Sequence, residues 1–483
     1  MPVVNQISSE LIIDRIRFEN KWWVNGSIDA EFNSMMRRIA FDGFFRLVEE
    51  TSVRRAVLLM GPRRVGKTVL LYHSIGELLA KKADRFKICF ISVDNPVYLN
   101  LGLEKLFELA REAVADPDPA GWYVFFDEIQ YLRNWEQHLK SLVDSYPRTK
   151  FIASGSAAAA LKYQSTESGA GRFTDFRLAP LSFYEYIHFT KNDLIIRSAE
   201  SLWKGNLNSF YTTVNIKELN KHFFDYINYG GYPEVIFSEA IRNNPGRYIK
   251  NDILDKVLLR DLPGLYGIRD VQELNSFFTV LAYNSGNEIS LDSLSKNCGA
   301  DKNLIKKYIE YLEAAFLIMP VHRIDNNAKR FRRATFYKIY LTNPSLRSAL
   351  FAPVEASDSA AGNLVETTVF SQFERPGSFV PRYARWSSGK FQGEVDLVGL
   401  DELQFRPVWA LEVKWSNRFF ENPGELRSII RFCRDNNLKT AAVTSIDKTG
   451  VVEKDGVQFH FFPASVYAYS IGANNSNQSS AQA

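Results

Sequence analysis

Cysteine is scarce in this sequence: three residues, Cys89, Cys298 and Cys433, lie far apart with no CxxC pair and no histidine at a matching spacing. That pattern argues against a disulfide framework and a cysteine-histidine zinc site, and it fits a reducing compartment. No apolar run approaches the roughly 18 residues that a membrane span requires, and nothing near the start reads as a basic, then apolar, then small-residue leader. The expectation is a cytoplasmic protein with no membrane partner. One-sided charge is missing too: Lys+Arg 59 against Asp+Glu 55 leaves a net +4, too little to demand a nucleic-acid partner by itself. No internal repeat is visible. What remains is an ordinary globular composition, 46% hydrophobic and 24% charged, over 483 residues, which is more than one domain.

The strongest motif is the run from Gly61 to Thr68, Gly-Pro-Arg-Arg-Val-Gly-Lys-Thr. Ala56–Met60 before it is an apolar segment of strand length, and 69–80 after it repeats apolar residues at helical spacing. Strand, glycine-framed loop and helix are the setting in which this eight-residue pattern binds polyphosphate. Gly61 and Gly66 let the backbone curl so that successive N–H groups point into one concavity, at the positive end of the following helix. Gly61, Pro62, Arg63, Arg64, Val65, Gly66, Lys67, Thr68 and Val69 are the expected nucleotide-binding residues. Lys67 supplies charge to the β- and γ-phosphates, and the Thr68 hydroxyl is a ligand for Mg²⁺.

Residues 1–54 read as a lead-in packed on the first domain. From 55 to 190 strands alternate with helices, which predicts a parallel sheet covered on both faces, an α/β fold. The apolar run 122–126 ends in Asp127-Glu128, placing two carboxylates at the end of a strand where such sheets bind ligands. Asp127 is expected to hold Mg²⁺ and Glu128 to polarise the attacking water. Ser154 ends the next strand and is placed to sense the γ-phosphate. Arg172 is a candidate for stabilising transition-state charge, in its own or a neighbouring subunit; a surface arginine is the competing reading.

Residues 191–275 lose the strand signal and read as a helical lid appended to the nucleotide domain, broken at Arg260–Pro263. Residues 276–350 read as a winged helix-turn-helix: two helices, the second N-capped by Asp301, then a hairpin of 321–324 with 336–341. Leu304, Ile305, Tyr308, Ile309, Leu312 and Phe316 make its apolar stripe. Lys302, Lys306 and Lys307 on the polar face, with Lys329, Arg330, Arg332 and Arg333 in the wing, are candidate DNA contacts, against the alternative of a solvated face on a protein-interaction module. Residues 352–362 read as a linker and 471–483 as a disordered tail.

The stretch 360–470 carries a second chemical signal. Glu366 sits in a helical segment, Asp396 and Glu412 on strand-like runs, and Lys414 two residues beyond Glu412. Charges inside apolar runs are costly unless paired or bound to metal. Carboxylates converging on Mg²⁺ or Mn²⁺, with Asp396 and Glu412 as ligands and Lys414 steadying water or phosphate, would suit phosphodiester cleavage. A buried salt-bridge set in which Lys414 neutralises Asp396 and Glu412 is the alternative.

Taken with the run 125–136, Gly155-Ser156 and the segment 178–185, the Gly61–Thr68 loop resembles the AAA-type ATPases of bacteria and archaea that carry a fused carboxy-terminal domain of unknown function. That domain is similar to the PD-(D/E)XK nuclease fold, with a winged helix between the two parts. The resemblance covers about residues 55–470. It implies ATP with Mg²⁺ at Lys67, Thr68, Asp127 and Glu128, and a nuclease-like site at Glu366, Asp396, Glu412 and Lys414. Val395 stands where the family's pattern has proline. The expected whole is an ATPase that controls a DNA-binding, nuclease-like module. A regulatory switch with an inactive nuclease-like domain, or a protein-remodelling ATPase, are the alternatives. Assembly into a homo-oligomer is compatible with each.

Overall fold

The computed structural model describes residues 8–98, 101–156, 171–200, 203, 205, 207–325, 336–374, 379–401 and 403–481. It divides into two compact units, Met1–Ala179 with Ser479–Ala483, and Pro180–Gln478.

In the first unit, five short strands form one sheet: β1 (Ala56–Met60), β2 (Ile88–Ser92), β3 (Tyr123–Asp127), β4 (Lys150–Gly155) and β5 (Phe173–Arg177), in the order β2-β3-β4-β1-β5. Every pairing is parallel. Parallel strands need long crossovers, and the helices Lys67–Ala80, Leu103–Ala113 and Trp135–Ser145 supply them. Covered on both faces, the strands are continuous apolar runs: all five residues of β1 are buried.

The lead-in protects an edge of this sheet. An edge strand exposes unpaired backbone groups. Asn20, fully buried, meets those of β2: its Nδ2 donates to the Phe90 carbonyl at 2.8 Å, and its Oδ1 accepts from the Phe90 N–H at 2.7 Å. The indole N–H groups of Trp22 and Trp23 both donate to the Ile88 carbonyl, at 2.9 and 2.8 Å.

In the second unit, β6 (Ile196–Ala199) and β7 (Phe210–Thr213) form a small ribbon. A nine-stranded sheet holds the rest: β8 (Glu288–Ser290), β9 (Ile318–Ile324), β10 (Phe336–Leu341), β11 (Arg382–Ser388), β12 (Phe391–Leu400), β13 (Pro407–Glu412), β14 (Thr440–Ser445), β15 (Gly450–Lys454) and β16 (Val457–Pro463). Its order is β15-β16-β14-β13-β12-β11-β9-β10-β8. The element order helix Val271–Tyr283, β8, helix Leu291–Cys298, helix Lys302–Ala314, β9, β10 includes the expected antiparallel hairpin, with Val321 opposite Lys338. Ile305, Tyr308, Ile309 and Leu312 are buried, as their spacing predicts.

Several expected boundaries are corrected. The units divide after Ala179 rather than at 190, so the helix Phe183–Phe189 belongs to the second. Residues 191–275 also fall in that unit, where Phe224 packs on Trp415 with ring centroids 5.2 Å apart. Arg260–Pro263 is no break, because wider helical turns at Val257–Asp261 run into the helix Leu262–Tyr266. The supposed linker is pinned by Asn228, which exchanges two hydrogen bonds with the backbone of Val354, both 2.9 Å. The 276–350 segment is not a separate layer either, since β9 pairs in parallel with β11. The segment expected as a disordered tail is largely the end of a helix, Ala464–Ala481, in which Ile471 and Ala473 are buried and Asn474 Nδ2 donates to the Ser209 carbonyl at 2.6 Å.

Replacing Asn20 with Ala strands two backbone groups of β2 in the core. The expected loss is about 2–4 kcal/mol in the first unit. Urea unfolding followed by the tryptophans of that unit measures it, and a variant as stable as the wild type would contradict the edge-capping role.

Candidate functional site

The phosphate loop joins β1 to the helix Lys67–Ala80, at the carboxyl end of the parallel sheet. Two glycines answer to different constraints. A side chain on Gly61 would put its Cβ 2.3 Å from the Leu178 carbonyl oxygen, so nothing larger fits. Gly66 precedes the helix at φ +93°, a conformation that glycine adopts freely. Lys67 is buried and donates to the Gly61 and Pro62 carbonyls at 3.1 and 2.8 Å, folded back along the loop it serves. Arg38, from the lead-in, donates to the Val65 carbonyl at 2.6 Å and to the Ala179 carbonyl at 3.0 Å, bracing the loop from behind.

Asp127 ends β3 and is buried. The Thr68 hydroxyl donates to its Oδ2 at 2.7 Å, and the Ser154 hydroxyl donates to its Oδ1. Ser154 Oγ also accepts from the Glu128 N–H at 3.1 Å. Burial, and then the charge of Glu128, push the Asp127 carboxyl up to about 6, while Ser154, Thr68 and Lys67 pull the other way. A hydroxyl and a carboxylate held together at the loop form a set of hard oxygen donors that fits Mg²⁺. Lys67, Thr68, Asp127, Glu128 and Ser154 are thus brought together as their spacing predicts.

Gln130 was not anticipated. It follows Glu128 in the short turn Ile129–Tyr131, donates through Nε2 to the Glu128 carboxylate, and accepts from the Ser156 N–H at 3.2 Å. It therefore ties the ends of β3 and β4 together. Arg172 does not join the group in its own chain. Parallel pairing puts Arg177 beside Met60 and the phosphate loop, whereas Arg172 precedes β5 at the other end of the sheet, with its carbonyl accepting from Ala56. There its Nε is 2.6 Å from Asp144 Oδ1, so its place is a surface ion pair.

The second unit gathers the other set. Glu366 from the helix Ala361–Ser371, Asp396 from β12 and Glu412 at the end of β13 converge with Lys414. Lys414 Nζ lies 2.7 Å from Glu412 Oε1 and 3.2 Å from Asp396 Oδ2. The Val413 N–H also donates to Asp396 Oδ2, at 3.0 Å, and Thr444 holds the Lys414 backbone through two hydrogen bonds of 2.7 and 2.8 Å. Burial would raise Asp396, but Lys414 and Lys338 hold it below the usual carboxylate range. Burial and the neighbouring Asp396 push Glu412 up to about 7.

Lys338, on β10, is the residue that sequence reasoning missed. Its side chain is 3% exposed, with Nζ 2.9 Å from Glu366, 2.7 Å from Glu394 and 3.4 Å from Asp396. Tyr340, two residues on, donates to Glu366 Oε1 at 2.6 Å. The signal was a lone charge in the apolar run 336–341, the same kind of signal that marked Lys414. This set does not fit a bound metal ion as the side chains stand: Asp396 presents each oxygen to an ammonium group. Among the described residues no group of three or more His, Cys, Asp and Glu side chains is arranged to hold one. Of the candidate DNA contacts, Lys302, Lys306 and Lys307 are exposed, with Lys302 paired to Asp292 and Lys306 3.8 Å from Glu310. Lys329, Arg330, Arg332 and Arg333 lie outside the described residues.

Residues 53–187 match the family described as an AAA domain. Those residues span the five parallel strands and the phosphate loop. Residues 220–358 match a domain of unknown function. An uncharacterised protein of Methanocaldococcus jannaschii is 26% identical over 327 residues, 66% of this chain and 66% of its own length, so the chain spans just under two thirds of that relative. An uncharacterised protein of Haemophilus influenzae is 24% identical over 325 residues, 66% of this chain and 74% of its own length. Among solved structures, a replication initiator DnaA bound to AMPPCP and single-stranded DNA overlaps 59% of this chain and 92% of its own at 14% identity, with a TM-score of 0.29. PCH-2 of C. elegans overlaps 62% and 72% at 16% identity, with a TM-score of 0.24. Overlaps this loose carry no argument about function.

Asp127 gives a stability prediction for the metal-free protein. Its folded pKa near 6 exceeds the ordinary 3.8, so the native state holds its proton more tightly. The stabilisation is complete below about 4 and is lost as pH rises through about 6. Asp127→Asn should therefore be more stable than the wild type at pH 7.5, by about 1–3 kcal/mol, with a flatter pH profile between those values. Thermal unfolding in EDTA measures this; equal stability at pH 7.5 would refute it.

Proposed function

We propose that the chain is an Mg²⁺-dependent ATPase of AAA type. The observation that carries this reading is the joining of Lys67, Thr68, Asp127, Ser154 and Glu128 at one end of the parallel sheet. Lys67 leaves the Gly61 and Pro62 carbonyls and turns to the β- and γ-phosphates, while the loop N–H groups and the helix Lys67–Ala80 meet the polyphosphate. Thr68 and Asp127 are the residues that would hold Mg²⁺, which when bound neutralises phosphate charge. Glu128 orients the attacking water and takes its proton. Ser154 spans Asp127 and the backbone of Glu128, and so positions both carboxylates. Gln130 restrains the Glu128 carboxylate until it is needed.

The second unit is read as a winged helix joined to a PD-(D/E)XK nuclease-like domain, the pair binding DNA under control of the nucleotide cycle. The filling of the Glu366, Asp396 and Glu412 set by two lysines favours a module that binds nucleic acid without cutting it. Exposed Lys302, Lys306 and Lys307 are the proposed phosphate contacts.

Lys67→Ala should abolish binding of a fluorescent ATP analogue. Glu128→Gln should retain binding yet lower steady-state hydrolysis by about 100-fold or more. Hydrolysis that survives Lys67→Ala, or that Glu128→Gln leaves undiminished, would sink the assignment. Replacing Lys302, Lys306 and Lys307 with Ala should weaken binding to duplex DNA. The slope of log affinity against log salt should also become shallower by roughly 1 for each lysine that meets a phosphate. An unchanged slope, or no DNA binding by the wild type, would remove the DNA part of the reading.

A further inference from the structure

The geometry of the Lys338 side chain points to a role that the nuclease-like reading does not include. We propose that the Lys338 ammonium is the resident cation of the carboxylate cluster in the second unit, standing in for a divalent ion and keeping one out. The inference rests on reading Glu366, Asp396, Glu412 and Lys414 as a nuclease-like set.

Three carboxylates from two elements close on one nitrogen: Glu366 at 2.9 Å, Glu394 at 2.7 Å and Asp396 at 3.4 Å. A lysine 3% exposed is out of reach of a substrate phosphate in solution, so these carboxylates are what it serves. Asp396, the residue a nuclease-like site would use as its central metal ligand, has Oδ1 turned to Lys338 and Oδ2 to Lys414 and the Val413 N–H. A divalent ion at Asp396 would sit between two ammonium groups, and such repulsion is strong where water is excluded.

The charge count agrees. Among the described residues Glu288, Glu366, Glu394, Asp396 and Glu412 are joined by ion pairs to Arg323, Lys338, Arg385 and Lys414, five carboxyl groups against four cations, a formal charge of minus one. Without Lys338 the deficit becomes two, the charge of one Mn²⁺. One buried carboxylate oxygen of the cluster, Glu412 Oε2, has no hydrogen-bond partner and is available as a ligand in that event.

The delivery of this cation is a feature of the fold. Two strands, β11 and β9, separate β12 from β10 in the sheet, about 14 Å if the sheet were flat. Lys338 and Asp396 nevertheless meet, with Nζ 3.4 Å from Oδ1. Tyr340 on the same strand anchors Glu366 at 2.6 Å, and the Tyr340 ring stacks on Phe370 of the Glu366 helix with centroids 3.9 Å apart.

Mn²⁺ titration followed by EPR, on metal-free protein without nucleotide, tests the proposal. The wild type should show no Mn²⁺ site that Asp396→Asn removes. Lys338→Met should gain one, tighter by roughly tenfold or more, with a thermal stability that Mn²⁺ restores, and the double variant with Asp396→Asn should lose it. A Mn²⁺ site in the wild type that Asp396→Asn abolishes would overturn the proposal alone. A folded Lys338→Met without a Mn²⁺ site would overturn it together with the nuclease-like reading. Should Lys338→Met fail to fold, reductive methylation of the wild type decides. Lys338 unlabelled with and without millimolar Mn²⁺ supports the proposal, and labelling that appears on adding Mn²⁺ overturns it.

Discussion

A carboxylate taken out of water must be met by donors or cations, and each unit is arranged around one such group. In the first unit it is Asp127, delivered to the end of β3 by a strand with no room for water. The hydroxyls of Thr68 and Ser154 are assembled around it, yet its carboxyl stays raised to about 6 because burial and the charge of Glu128 outweigh them. In the second unit the central carboxylate is Asp396, and there the protein has brought its own cations. Lys414 and Lys338 hold it below the ordinary carboxylate range despite full burial. One physical demand is thus answered in opposite ways: one carboxyl is left raised, and the other is met by two ammonium groups.

The continuity of the nine-stranded sheet explains how the second answer is reached. The hairpin β9–β10 looks in isolation like the end of a small helical module. Its pairing with β11 makes it the outer part of the sheet that carries Asp396 and Glu412. Lys338 and Tyr340 then act on the Glu366 helix, and Glu288 of β8 joins Arg385 of β11 at 2.8 Å.

Much of the first unit was legible because its signals are local. The loop from Gly61 to Thr68 lies between a buried strand and a helix, and the acidic pair follows an apolar run; both patterns are set by a few adjacent residues. Gln130 was in plain view, but its tie between Glu128 and the Ser156 backbone depends on β3 and β4 lying side by side. The place of Arg172 within its own chain was hidden for a similar reason. Strand direction decides which end of β5 meets the phosphate loop of the same chain, and Arg172 precedes the other end.

Sequence alone determined the strand-loop-helix phosphate site, the positions of Asp127 and Glu128, the hairpin, and the set of Glu366, Asp396, Glu412 and Lys414. Each follows from period, punctuation and the cost of burying charge over short stretches of chain. Tertiary structure decided where the units divide, that residues 191–275 belong with the second unit, and that Lys338 stands among the carboxylates. Those outcomes depend on contacts between residues far apart in the chain and on strand order, neither of which leaves a periodic trace in one sequence.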